Sequence, residues 1–220
     1  EWGTNNCIVT KLFIHFELID RFILFTYARA HSLAELKGSE LLGPEEPLKA
    51  DEQYAWIEDT LSKSVADHII VAGHYPIYSI CEHGPTPQLV DRLLPLLETY
   101  GVSSYLAGHD HCSEVIIDSS KTESPVHHGI GSANFNDKST LHKWSIPRAS
   151  LVFHKGDEMF GGFASIEMDT ESGNMCVKHY DGDGSMVFQA DDITPRADKF
   201  KAEQNKNGKE SFTRLQATKK

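Results

Sequence analysis

Apolar residues are spaced in two ways along this chain. From residue 51 to 107 they alternate between helical spacing and short unbroken runs. Tyr54, Ile57, Leu61 and Val65 recur every three or four positions, which predicts a helix capped by Asp51. Ile69-Ile70-Val71-Ala72 and the run 102–107 are continuous enough to read as buried strands. Between them Leu89, Val90, Leu93, Leu94 and Leu97 make a buried stripe, with Thr86 as N-cap, Pro87 at the first helical position and Gly101 as C-terminal cap. Helix, strand, helix, strand implies a parallel pair with a right-handed crossover. Beyond His111 the pattern shortens to alternating strands at 114–118, 126–130, 149–154, 162–168, 175–180 and 185–189, separated by turns such as Asp181-Gly182-Asp183-Gly184. The expected fold class is α/β, with one mixed and one mostly antiparallel sheet. Upstream, 12–19 and 22–27 read as a strand pair and 31–50 as an exposed connector.

Composition narrows the function. The 220 residues suffice for one substantial domain, expected over 1–190 as a partial domain followed by a polar, basic, flexible tail at 191–220. Net charge is −11, but residues 196–220 carry eight Lys/Arg against three Asp/Glu, leaving thirteen against twenty-nine in the body. So acidic a body argues against nucleic acid as partner. The most apolar stretch, Cys7 to Ala30, is interrupted by Lys11, His15, Glu17, Asp20 and Arg21 and is no membrane span. Four cysteines show no metal-binding spacing, and their pairing is open at this level. The chain starts at Glu1 with no signal-peptide pattern, and a sequence beginning part-way through a domain is expected.

The candidate chemistry sits in two turns, Gly73-His74-Tyr75-Pro76 and Gly108-His109-Asp110-His111, each directly after a predicted strand. If those strands are parallel neighbours, both turns open at the same carboxyl edge of one sheet, where open α/β folds place ligands. Neutral imidazole is a common ligand for zinc and iron, and glycine before each turn lets the backbone approach an ion closely. Convergence of His74, His109 and His111 on a metal site is therefore expected. The start of the helix after Thr86 is expected to face the same edge and to favour an anion. His83, in the loop before that helix, is placed to donate a hydrogen bond or proton to a substrate. His127 and His128, adjacent in a strand, point to opposite faces and read as one core and one surface histidine. His15, His31, His68, His142, His154 and His179 are assigned structural roles by default.

Val71-Ala72-Gly73-His74-Tyr75-Pro76, Glu82-His83-Gly84-Pro85-Thr86 and Tyr105-Leu106-Ala107-Gly108-His109-Asp110-His111 together resemble the tartrate-resistant, purple acid phosphatase branch of the calcineurin-like metallophosphoesterases. Gly131-Ser132-Ala133-Asn134-Phe135 and Gly161-Gly162-Phe163-Ala164 extend the likeness across about residues 10 to 190. The resemblance implies a four-layer α/β/β/α sandwich, here incomplete at its N-terminus, with a dinuclear centre of Fe and a second Fe or Zn that hydrolyses phosphate monoesters. It implies that His74 and His109 bind the divalent metal, His111 the ferric iron, and that His83 contacts the phosphate or leaving group. It further implies a small-molecule or phosphoprotein substrate, a secreted or lysosomal location, and a restraining loop at 31–50. The family's Gly-Asp-x-Gly, Gly-Asp-x-x-Tyr and Gly-Asn-His turns do not occur in these 220 residues, so the chain alone is expected to bind metal weakly and to be poorly active. Gln88 stands where some vertebrate members have a cysteine, so that disulfide does not carry over. A mononuclear three-histidine zinc hydrolase and a non-catalytic remnant of the fold remain alternatives.

Overall fold

The computed structural model describes residues 47–158 and 161–196. The expected strand pair within 12–27, the connector up to residue 46 and the tail beyond 196 lie outside the described residues. Helix α1 spans Pro47–Lys63, starting a turn before Asp51 and taking up the end of the expected connector. Proline is tolerated there because a first-turn N–H has no intrahelical acceptor. Asp51 is therefore not the cap; its carboxylate instead accepts a 2.7 Å bond from Arg92, whose guanidinium lies over the Tyr54 ring. Ile57 and Leu61 face the core as expected. Val65 does not, because the helix has already ended and the residue is 76% exposed.

Strands β1 (Ile70–Gly73) and β2 (Ser104–Ala107) pair in parallel, as their connection predicts, with Gly73 opposite Ala107. The helix between them is not a regular α-helix. Leu89–Leu93 forms one π turn before α2, Leu94–Thr99. Pro95 explains this: it has no N–H for the carbonyl of Asp91, and its ring would crowd that carbonyl. The turn widens, and the Leu94 N–H bonds five residues back to Leu89. Leu89, Leu93, Leu94 and Leu97 all reach the core in consequence. Gly101, at φ +61°, closes the helix as anticipated.

Strands β3 (Ser113–Ile116), β4 (Val126–Ile130) and β5 (Leu151–His154) complete a five-stranded sheet in the order β1-β2-β4-β3-β5. The β2–β4 pair is parallel, and β3 runs antiparallel to β4 and β5. The strand expected from 149 begins two residues later because Ala149 sits at φ +60°. Strands β6 (Phe163–Met168), β7 (Met175–Tyr180) and β8 (Met186–Gln189) form an antiparallel sheet.

The core lies between the helices and one face of the mixed sheet, where Ile57, Leu61, Leu93, Leu97 and Tyr105 are buried together. The other face meets the second sheet: His179 of β7 is bonded to His128 of β4 and Ser113 of β3. The architecture is of the α/β class, with three of the four expected layers (helices, mixed sheet, antiparallel sheet) among the described residues. The layering corrects the reading of the adjacent histidines. Because β4 is an inner strand covered on both faces, His127 and His128 are both buried, at 3% and 1% exposure.

Candidate metal centre

The parallel pairing of β1 and β2 brings the two turns side by side. The Gly108 N–H bonds to the His74 carbonyl at 3.1 Å, tying one turn to the other. Beneath them the buried Tyr105 hydroxyl donates to the Tyr75 carbonyl at 2.7 Å, fixing the residue after His74. Burial pushes the Tyr105 phenol well up, so it stays protonated as a donor. His109 has φ +59°, a left-handed conformation rare for a side-chain-bearing residue and costing of order 1 kcal/mol. Held strain of this kind concentrates at functional sites. Gly131, after β4, passes so close that a Cβ there would overlap the Asp110 carbonyl.

The geometry divides the candidate residues. His74 Nε2 and His109 Nδ1 lie 3.3 Å apart, and the Tyr75 ring is 4.2 Å from that of His109. His83, exposed at the rim, places its ring 4.4 Å from His109 at an interplanar angle of 33°. His111 points elsewhere: it is exposed, its ring 4.6 Å from Phe135. Among the described residues the only three metal-ligating groups with donor atoms within 4.8 Å of one another are Cys81, Cys112 and Glu114, so the three site histidines do not share one point.

Several residues that hold the site have no advance signal in spacing. Asp110 is 2% exposed, and its Oδ1 accepts the His83 N–H at 2.9 Å, linking the His109 turn to the His83 loop. Asp137 accepts the Glu82 N–H at 3.0 Å and donates its own N–H to the His111 carbonyl. His142 secures the same loop through Ile80 and Glu82. Cys81 and Cys112 form a disulfide. The signal for it was positional: one cysteine stands two residues before His83 and the other immediately after His111.

Residues 3–113 match the calcineurin-like phosphoesterase family, and the chain belongs to it. Among its relatives is the tartrate-resistant acid phosphatase type 5 of Oryctolagus cuniculus, 42% identical over 151 residues, which cover 66% of this chain and 45% of that protein. Purple acid phosphatase 4 of Arabidopsis thaliana is 31% identical over 135 residues, covering 61% of this chain and 37% of that one. The chain thus spans less than half the length of either. A similar solved structure is GAP50, the anchor in the inner membrane complex of Plasmodium, with a TM-score of 0.56 and 25% identity, covering 69% of this chain and 45% of that one.

The family and the purple acid phosphatases imply a dinuclear metal centre. The residues present fit part of one. Two ligands 2.0–2.1 Å from an ion at a tetrahedral angle are about 3.3 Å apart, which is the spacing of the His74 and His109 nitrogens. A three-histidine zinc site needs the same spacing for all three pairs, and His111 does not provide it.

Proposed function

We propose that this chain serves the metal-dependent hydrolysis of phosphate monoesters, the activity its relatives' names as acid phosphatases describe. The observation that carries the reading is the 3.3 Å separation of His74 Nε2 and His109 Nδ1 on a strained, braced turn at the edge of a parallel strand pair. In this reading His74 and His109 hold the divalent ion and His111 helps hold a ferric iron, the second ion being iron or zinc. When bound, the ions supply Lewis-acid polarisation of phosphate oxygens and a water of lowered pKa. The protein's part is orientation and proton delivery. His83, over His109 and open to solvent, donates a proton or hydrogen bond to the leaving-group oxygen. Asp110 fixes the His83 backbone for that task. The exposure of His83 and His111 leaves the site open to a phosphoprotein as well as a small ester. The Cys81–Cys112 disulfide accords with a secreted or lysosomal location, since such bonds persist in oxidising compartments.

Metal content and aryl phosphate hydrolysis, measured on the protein expressed from its complete coding sequence, test this. His74→Ala and His109→Ala are expected to lose bound metal and activity together. His83→Gln is expected to keep its metal and lose roughly 10²–10⁴ in turnover. Unchanged hydrolysis in His83→Gln would remove that residue from the mechanism. Three neutral histidines balance none of the ions' charge, so residues 1–220 alone are expected to hold metal weakly and turn over slowly. Full activity from them would overturn the dinuclear assignment. The alternative is a non-catalytic binding role, suggested by the similar Plasmodium structure being described as an anchor. It requires the histidine variants to leave binding and folding untouched.

A further inference from the structure

The described residues hold a second set of metal-ligating side chains. The sulfurs of Cys81 and Cys112 and a carboxylate oxygen of Glu114 lie within 4.8 Å of one another, and all three residues are buried at 0, 0 and 1% exposure. With the sulfurs joined, Glu114 is left half satisfied. Its Oε2 accepts the Ile80 N–H at 3.2 Å, while its buried Oε1 has no partner. An unpaired buried carboxylate oxygen is costly and persists only where something else requires it. The fold also makes room for this side chain: Gly129 stands opposite Glu114 in the β3–β4 register, and a Cβ there would come within 2.7 Å of Glu114 Cγ. Two thiolates and a carboxylate are a donor set suited to zinc, with bonds of about 2.3 Å to sulfur and 2.0–2.2 Å to oxygen.

We propose that on reduction of the disulfide Cys81, Cys112 and Glu114 form a buried binding site for zinc or a zinc-like divalent cation. In that state the ion takes over the disulfide's work of clipping the His83 loop to the segment that follows His111. An external dithiol or phosphine supplies two electrons; the S–S bond breaks and each sulfur takes a proton. Metal binding then releases both thiol protons to water and forms two metal–sulfur bonds and one metal–oxygen bond, with water at the open position. This site is distinct from the histidine cluster, and the inference does not depend on the phosphatase reading.

The test is titration of the chain with Co(II), then Zn(II), with and without prior reduction by tris(2-carboxyethyl)phosphine. In the reduced protein, one equivalent of cobalt is expected to give a thiolate-to-metal charge-transfer band that zinc bleaches. The oxidised protein and the Cys81→Ser/Cys112→Ser double variant should give none. Glu114→Gln should weaken cobalt binding at least tenfold, whereas His74→Ala with His109→Ala should leave the band in place. Zinc should raise the melting temperature of the reduced protein and not that of the oxidised one. Absence of the band in reduced protein that keeps its circular dichroism would overturn the proposal. So would a band that survives the double serine variant, which would point to Cys176, or a reduced protein that unfolds and is not recovered by zinc.

Discussion

At the scale of single residues, the site is held by groups whose placement is energetically unfavourable in isolation. Burial pushes the Glu114 carboxyl up to about 7, against partial compensation from its bonds to Ser79 and Ile80. An acid whose folded pKa exceeds its unfolded value favours the folded state while protonated, and that advantage is lost as pH rises through the folded pKa. Glu114 therefore penalises folding progressively between about pH 4.5 and 7, by on the order of 3 kcal/mol once fully ionised. Glu114→Gln is expected to raise stability at pH 8 and leave it nearly unchanged at pH 4.5, read from urea unfolding of the oxidised protein at the two pH values. No gain at pH 8 would mean the carboxylate is better satisfied than its bonds to Ser79 and Ile80 indicate. Gly131 is the reverse case, a residue whose value is its lack of a side chain. Gly131→Ala, which drives a methyl into the Asp110 carbonyl, is expected to cost about 2–3 kcal/mol in the same assay.

At the scale of elements, the crossover between β1 and β2 determines which histidines can cooperate. Its parallel register sets Gly73 beside Ala107, so the residues that follow each strand emerge together. This much was readable in the sequence, because continuous apolar runs separated by a helical stripe leave little alternative. The cap at Gly101 was readable too, and its φ of +61° makes a direct prediction. Gly101→Ala should destabilise by about 1–2 kcal/mol, the cost of a left-handed conformation for a residue with a Cβ, seen as a lowered urea midpoint at unchanged m. The π turn at Leu89–Leu93 was not readable from the leucine stripe, which suits a regular helix equally well. It follows from Pro95, whose effect depends on a carbonyl four residues earlier.

At the scale of the whole molecule, the two sheets meet across a polar seam inside an otherwise apolar body. His128 and His179 share a 3.1 Å bond, and Ser113 holds the far nitrogen of His179 at 2.9 Å. Burial lowers His127 and His128 to about 3 and His179 to about 4, with the neighbouring histidines pushing His128 the same way. Below pH 6.5 the unfolded chain takes up protons that the folded protein refuses, so stability falls as pH drops toward 4 and below. Three histidines outweigh the opposing slope of Glu114 over that range. The midpoint of thermal unfolding is expected to drop steadily from pH 7 to pH 4, and His128→Gln should flatten the fall. A flat profile in the unaltered protein would show that the seam admits protons while folded.

The sequence by itself determined the order of elements, the parallel pair and the identity of the histidine turns, because periodicity, glycine and proline act over a few residues. It also placed His83 near the chemistry without deciding its role. Only the tertiary structure decided which of those groups meet. His74 and His109 pair while His111 stands apart against Phe135; two cysteines thirty-one residues apart join beside a buried glutamate. The start of α1, and the burial of both His127 and His128, were likewise set by what packs against them. Contacts of this kind depend on the register and layering of strands distant in sequence, and no local pattern encodes them.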